Sequence, residues 1–170
     1  MPAMLRKRRL PKPTDPGDDK VLADIREFGF HAKHVRKWNH PEHASDEPTN
    51  PVYEAGISYT VGLPYSHGHP ELALVGPLPD DRAHDILWEV VNLIEDGRTF
   101  AAGDESDEVL RAYPARFGPV SHVWRKEVLT FADWAARRKP FEALQILVPD
   151  EAGAFPGDPA YDGMPQPLLG

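Results

Sequence analysis

The sequence contains no cysteine, which excludes disulfides and thiolate metal sites outright. It also lacks any apolar run near the ~18 residues of a membrane span, and its basic start runs into Leu10, Pro11 and Lys12 instead of an apolar signal region. The chain therefore reads as cytoplasmic, with no membrane partner. Positive charge is scarce as well: a net charge of −8 argues against a general nucleic-acid binder, which neutralises phosphates with clustered Lys and Arg. The exception is the start, where Arg6, Lys7, Arg8, Arg9 and Lys12 stand without an acid among them. Residues 1–17 are read as a disordered basic and Pro-rich tail, the one place where nucleic acid or an anionic surface is a candidate partner.

Several catalytic signatures are missing too. There is no G-x-S-x-G elbow, no G-x-G-x-x-G or G-x-x-x-x-G-K-[ST] phosphate loop, and no H-E-x-x-H helix. Ser58 and Ser66 stand near His67 only as neighbours in sequence.

What is present suits one domain. The 170 residues are 41% apolar and 27% charged, close to ordinary globular usage, and leave no room for a second core. Residues 18–170 are read as that domain. Val21, Leu22, Ile25 and Phe28 recur at helical spacing before Gly29, so a short helix is expected there. Residues 30–38 alternate loosely and suggest a half-exposed outer strand, followed by a polar loop over 39–51. Residues 52–63 and 71–75 read as two strands of a hairpin joined by a long turn. Ala83, Ile86, Leu87, Val90, Val91 and Ile94 form the clearest stripe, a helix over 80–96 laid on the sheet. A proline-bearing edge or bulged strand is expected over 113–120, and a short third helix opening on a Thr130 and Asp133 capping box. The continuous apolar run FEALQILV at 141–148 reads as a central strand, and residues 149–170 as an irregular wrap over the domain.

Taken in order, SYTVGL, GHPELALVG and FEALQILVPDEAGAFPGDPAYD resemble a bacterial domain of unknown function, family 4262, over residues 20–169. The resemblance brings no established activity. It implies a closing Phe-Pro-x-Asp-Pro-x-Tyr tail, in which Gly157 stands where relatives are expected to carry a bulky aromatic.

The densest chemistry lies in the turn 63–70 and the strand after it. His67 and His69 are two apart, so in an extended segment they project to one side and can share a divalent metal, with Glu71, His84 or the His31 and His34 pair as a third ligand. Glu71 enters an apolar strand, where a carboxylate must be paired or must accept backbone hydrogen bonds. It therefore either pins the preceding loop or serves as an acid or base of raised pKa. Tyr59 and Tyr65 flank the turn, the first a core residue or a catalytic acid, the second a binding candidate. Asp158 and Tyr161 are expected to reach over the turn from the C-terminal wrap.

The expected architecture is α+β: a mostly antiparallel sheet of five or six strands, one main helix on a face and two short helices. The expected function is a binding or accessory module that recognises a protein, peptide or small ligand in a groove between the 63–70 loop and the wrap. Tyr65, His67, His69, Glu71, Asp158 and Tyr161 are its expected binding residues. The alternative is a small enzyme that uses His67, His69 and Glu71, with Tyr59 as a further catalytic candidate.

Overall fold

The computed structural model describes residues 8–36 and 50–170. The basic start over 1–7 and most of the expected loop, 39–49, lie outside the described residues. Local sequence sets the first element well: helix α1, Pro16–Phe28, has Asp15 as N-cap accepting from the Asp18 N–H, proline at its first position, and Gly29 as its left-handed cap. It starts two residues earlier than the apolar spacing alone suggests, because Asp15 and Pro16 carry the start signal. Ahead of it the expected free tail is corrected over 8–17. Leu10 packs against the core, and an Arg8 guanidinium nitrogen donates to the Pro140 carbonyl.

Strand β1 (His31–Val35) follows and is largely half-buried, as expected of an outer strand. The reading of 52–63 as one strand is corrected next. Asn50 caps a short helix α2, Pro51–Ala55, and Gly56 breaks it before strand β2, Ile57–Val61. The turn holds a single helical turn α3, Leu63–Ser66, and leads to β3, Glu71–Val75. Helix α4 spans Asp80–Glu95 with all six residues of its expected stripe buried. After it come β4 (Glu105–Ser106), β5 (Ala115–Pro119), α5 (His122–Val128), α6 (Thr130–Ala135) and β6 (Ala143–Leu147).

The six strands form one sheet in the order β1-β2-β3-β6-β5-β4, antiparallel throughout except for the β3 and β6 pair. This is the expected α+β fold, with β6 central and buried along its length. Both faces are covered. Helix α4 packs its stripe on Leu72, Leu74, Phe117, Leu144 and Ile146. The other face, which carries Tyr59, Val61, Ala73 and Ala143, receives Val128 from α5, Ala132 from α6 and Leu129 between them, together with Val52 from α2. The sequence pattern points to two short helices; among the described residues there are five helices besides α4. The expected capping box is also corrected: Leu129 caps α6 without a side-chain bond. Asp133 instead binds Lys126 and Arg138.

The direction of β6 decides where the chain goes afterwards. Because Glu71 is paired with Ala143 and Ala73 with Gln145 in parallel, the chain leaves β6 beside the far end of β3. There the irregular wrap is fastened by side chains that imitate a strand. Gln166 exchanges hydrogen bonds with both backbone groups of Val148, and Gln145 holds the Pro167 carbonyl and the Leu169 N–H. Leu169 is fully buried against the core.

Candidate functional site

Glu71 is the first residue of β3 and is 2% exposed. Its Oε1 accepts from the Gly62 N–H at 2.6 Å, and its Oε2 is 2.6 Å from Thr60 Oγ1, with the Leu63 N–H at 3.4 Å. Thr60 Oγ1 also accepts from the Leu72 N–H, replacing the backbone ladder that runs from Ile57 to Tyr59 on β2. The carboxyl therefore ties the end of one strand to the start of the next. Burial pushes its pKa up to about 7, against the downward pull of Thr60, the two backbone N–H groups and the positive charge of Arg8.

Gly62 makes this arrangement possible. Its φ of 109° lies in the left-handed region, and a Cβ there would meet Ile25 of α1 at 2.7 Å. The backbone turns sharply under α1 and aims two amides at Glu71.

Above Glu71 opens a groove of about 1240 Å³. One wall is Gly62, Pro64 and Tyr65, and the opposite wall is formed by residues of 135–140. Arg26 from the last turn of α1 closes one side, and Arg8, Arg9 and Leu10 run along the rim. Arg8, Arg9, Arg26, Arg137 and Lys139 thus surround the opening, while Glu71 is the one acid among the described residues that line it. No carboxylate of the described residues forms an ion pair with any of these five cations. Arg137 and Arg138 are held consecutively at φ 57°, a conformation that costs a side-chain-bearing residue about 1–2 kcal/mol. The strain sits on the groove wall.

Of the residues expected to form the site, only Tyr65 and Glu71 line this groove. His69 is turned away and held: its Nδ1 lies 2.8 Å from the Pro70 carbonyl, and its Nε2 accepts from the Phe100 N–H at 3.1 Å. Burial lowers its pKa, so the neutral ring acts as a pin between two loops. His67 points elsewhere, with Nε2 buried without a hydrogen bond to any of the described residues, 3.8 Å from Glu95 and beneath Gly29. The expectation that these two histidines share a metal does not fit this geometry, because both nitrogens of His69 are already bonded. Among the described residues no group of three or more His, Asp or Glu is placed to hold a metal ion. Of the alternative third ligands, His31 pairs with Asp24 and His34 with Ser58, while His84 accepts from the Trp88 indole.

Tyr59 is fully buried in the core, where its hydroxyl accepts from the Phe131 N–H and burial keeps it un-ionised. That is the core role, away from the groove. Asp158 is exposed and folds its own turn, accepting from the Ala160 N–H. Tyr161 donates to the Met164 carbonyl and accepts from Gln166. Met164 lies against Gly76, just past the end of β3, whereas Glu71 begins that strand, so about 16 Å of β-strand separates the two ends. The expected groove between the 63–70 loop and the C-terminal wrap is therefore replaced by one between that loop and residues 135–140.

Sequence reasoning passes over Arg26, Arg137 and Lys139. Arg137 and Lys139 carry a signal, a run of three basic residues before Pro140, but helix-end charge accounts for such a run equally well. The fold and groove define a small α+β domain whose candidate site is a basic cleft over a buried carboxyl. The chain belongs to the family described as a domain of unknown function (DUF4262), whose model matches residues 24–162. The matched span includes Arg26, the 62–71 segment and residues 135–140, while Arg8 and Arg9 precede it. No curated protein and no solved structure matches the chain. Among the described residues no helix is long and apolar enough to cross a membrane.

Proposed function

We propose that this protein is a binding module whose groove receives an oxyanion, the carboxylate, phosphate or sulfate of a peptide, protein segment or small molecule. The observation that carries this reading is the convergence on one cleft, in a chain whose net charge is −8, of five cations that form no ion pair with a carboxylate among the described residues. In such a chain, cations are not expected to gather by composition alone. Arginine suits the task because its planar fork bonds two oxygens of one group. Tyr65 and Pro64 offer an apolar wall for the remainder of the ligand. The strain at Arg137 supports the same reading, since a costly backbone on a groove wall is retained more readily where its side chain is used. On this reading Arg8 and Arg9 serve the groove ligand instead of nucleic acid, and the setting is the bacterial cytoplasm.

The alternative, a small enzyme, rests on Glu71 alone, a buried acid pushed to about 7 at the floor of a cleft. His67 and His69 do not join it.

Thermal unfolding in sulfate and in chloride at equal ionic strength tests the binding reading, because a ligand that binds only the folded state raises the melting temperature. Sulfate is expected to stabilise the wild type more than chloride does. The double variant Arg26→Ala, Lys139→Ala is expected to lose most of that difference. Arg137→Gly should behave in a way that a purely structural residue would not: more stable by about 1 kcal/mol through relief of the left-handed strain, yet less responsive to sulfate. An undiminished sulfate effect in both variants would remove the groove from the account.

A further inference from the structure

The groove sets a buried acid directly beneath the place where an anion would lie, and that juxtaposition has a consequence for binding. Glu71 is enclosed, its hydrogen-bond partners among the described residues being Thr60 and the amides of Gly62 and Leu63. Among those residues no side-chain cation lies within hydrogen-bond distance to fix its charge. An anion drawn in by the rim would face that carboxylate across a medium of low dielectric, where like charges repel far more strongly than in water. The local network offers a way out. The short contact between Oε2 and Thr60 Oγ1 serves both charge states: Thr60 donates to the carboxylate, or a carboxylic Oε2–H donates to Thr60. In either state Leu72 N–H stays on Thr60 Oγ1 and Gly62 N–H stays on Oε1. The carboxyl can therefore change its charge without moving a backbone atom.

We propose that an oxyanion ligand enters the groove together with one proton, taken from solvent, which lodges on the Glu71 carboxyl. The inference deepens the groove reading and rests on it. The floor loses one negative charge as the ligand brings its own, and the rim cations are then left to the ligand.

The groups that face Glu71 bear on the direction of the coupling. Arg8 and Arg9 stand on the N-terminal stretch, Arg26 on α1, and Arg137 and Lys139 after α6. All five carry positive charge, which favours the carboxylate when the groove is empty, and Arg8 pulls the Glu71 pKa down in this way. Tyr59 on β2 and Tyr65 on α3 are the other ionisable neighbours, and burial keeps Tyr59 neutral. An anion seated among the cations cancels their effect on Glu71 and so draws the proton in. The floor acid also starts near the midpoint of its titration at neutral pH, so the coupling operates where a cell would use it.

Sulfate is a suitable probe because it remains a dianion across the neutral range by its own strong acidity, so any proton taken up belongs to the protein. Calorimetric titration of the full chain with sodium sulfate, in buffers of different ionisation heat, reads proton uptake directly. Uptake of up to about half a proton per sulfate is expected near neutral pH, and an affinity that falls on the order of tenfold from about pH 6 to about pH 8. Glu71→Gln copies the protonated acid, since its amide N–H can donate to Thr60 and its oxygen can accept from Gly62. It is expected to bind sulfate with no proton uptake and with a flat pH profile.

Should Glu71→Gln fail to fold, the carboxyl 13C shift of Glu71 in the wild type replaces it, and its titration midpoint is expected to move up when sulfate is added. Sulfate binding that is lost in Arg26→Ala, Lys139→Ala but proceeds without proton uptake would overturn the coupling and leave the groove reading standing. Equal uptake in wild type and Glu71→Gln would overturn it as well. No sulfate binding by the wild type at any pH would overturn both.

Discussion

Replacing Gly62 with alanine is expected to destabilise the domain by about 3–5 kcal/mol. Two penalties combine. A side chain at φ 109° is strained whatever the space around it, and the added Cβ would stand 2.7 to 2.9 Å from three carbons of Ile25, which is itself 1% exposed and has no room to retreat. Relieving that clash by shifting the turn would pull the Gly62 N–H off Glu71 and so add an unsatisfied buried group. Gly68 provides the internal comparison. It has φ 63° but nothing within 4 Å of where an added methyl would stand, so Gly68→Ala is expected to cost only about 1 kcal/mol. Urea unfolding of the two variants separates backbone strain from the clash with α1. Equal losses at the two positions would mean that Ile25 does not constrain the turn.

Glu71→Ala is expected to be nearly as damaging, at about 3–5 kcal/mol, because it removes the partner of the buried Thr60 hydroxyl and of the Gly62 and Leu63 N–H groups. Glu71→Gln keeps a donor and an acceptor in place and is expected to cost less than about 1.5 kcal/mol at about pH 5. The comparison then depends on pH in a defined direction. Glu71 has a folded-state pKa of about 7, above the 4.5 of an unperturbed glutamate. Its contribution to stability is therefore fully present below about pH 4.5 and is lost as pH rises through about 7. Wild type should lose about 2–3 kcal/mol relative to Glu71→Gln between about pH 5 and about pH 8, since each pKa unit corresponds to about 1.4 kcal/mol. The glutamine variant should overtake the wild type at the alkaline end. A constant difference across that range would show that Glu71 is ionised throughout and that its hydrogen bonds outweigh its burial.

The elements that sequence reveals are those whose pattern is set by one buried face. Helix α4 is legible because six apolar residues repeat at helical spacing and meet one sheet face, and β6 because an unbroken apolar run must be covered on both sides. Helix α2 is hidden because Val52 and Tyr53 carry strand-forming side chains that run into β2, and only Asn50, Pro51 and Gly56 mark it off. Helix α5 is hidden for a different reason: Val128 is its one fully buried residue, so its stripe is too thin to read.

The site is half legible. Glu71 stands out as a charge in an apolar strand, and its loop-pinning contacts are those expected of it. The location of the groove is not legible, because it depends on the sense of one strand pair. With β6 parallel to β3, the chain leaves the sheet beside Gly76, and Asp158 and Tyr161 go with it. The segment that enters β6, residues 135–140, is left beside Glu71 instead. Arg8, Arg26 and the Arg137 and Lys139 pair are far apart in sequence, and no local spacing announces that the three places meet.

The central claim is that oxyanions bind between the 62–65 turn and residues 135–140. Backbone amide shifts of the 15N-labelled full chain, followed as sulfate replaces chloride at constant ionic strength, test it most directly. The expected changes concentrate on Arg9, Arg26, Gly62, Tyr65 and residues 135–139, and saturate together. Changes spread equally over exposed arginines elsewhere, such as Arg98 and Arg116, or gathered around Asp158 and Tyr161, would contradict it.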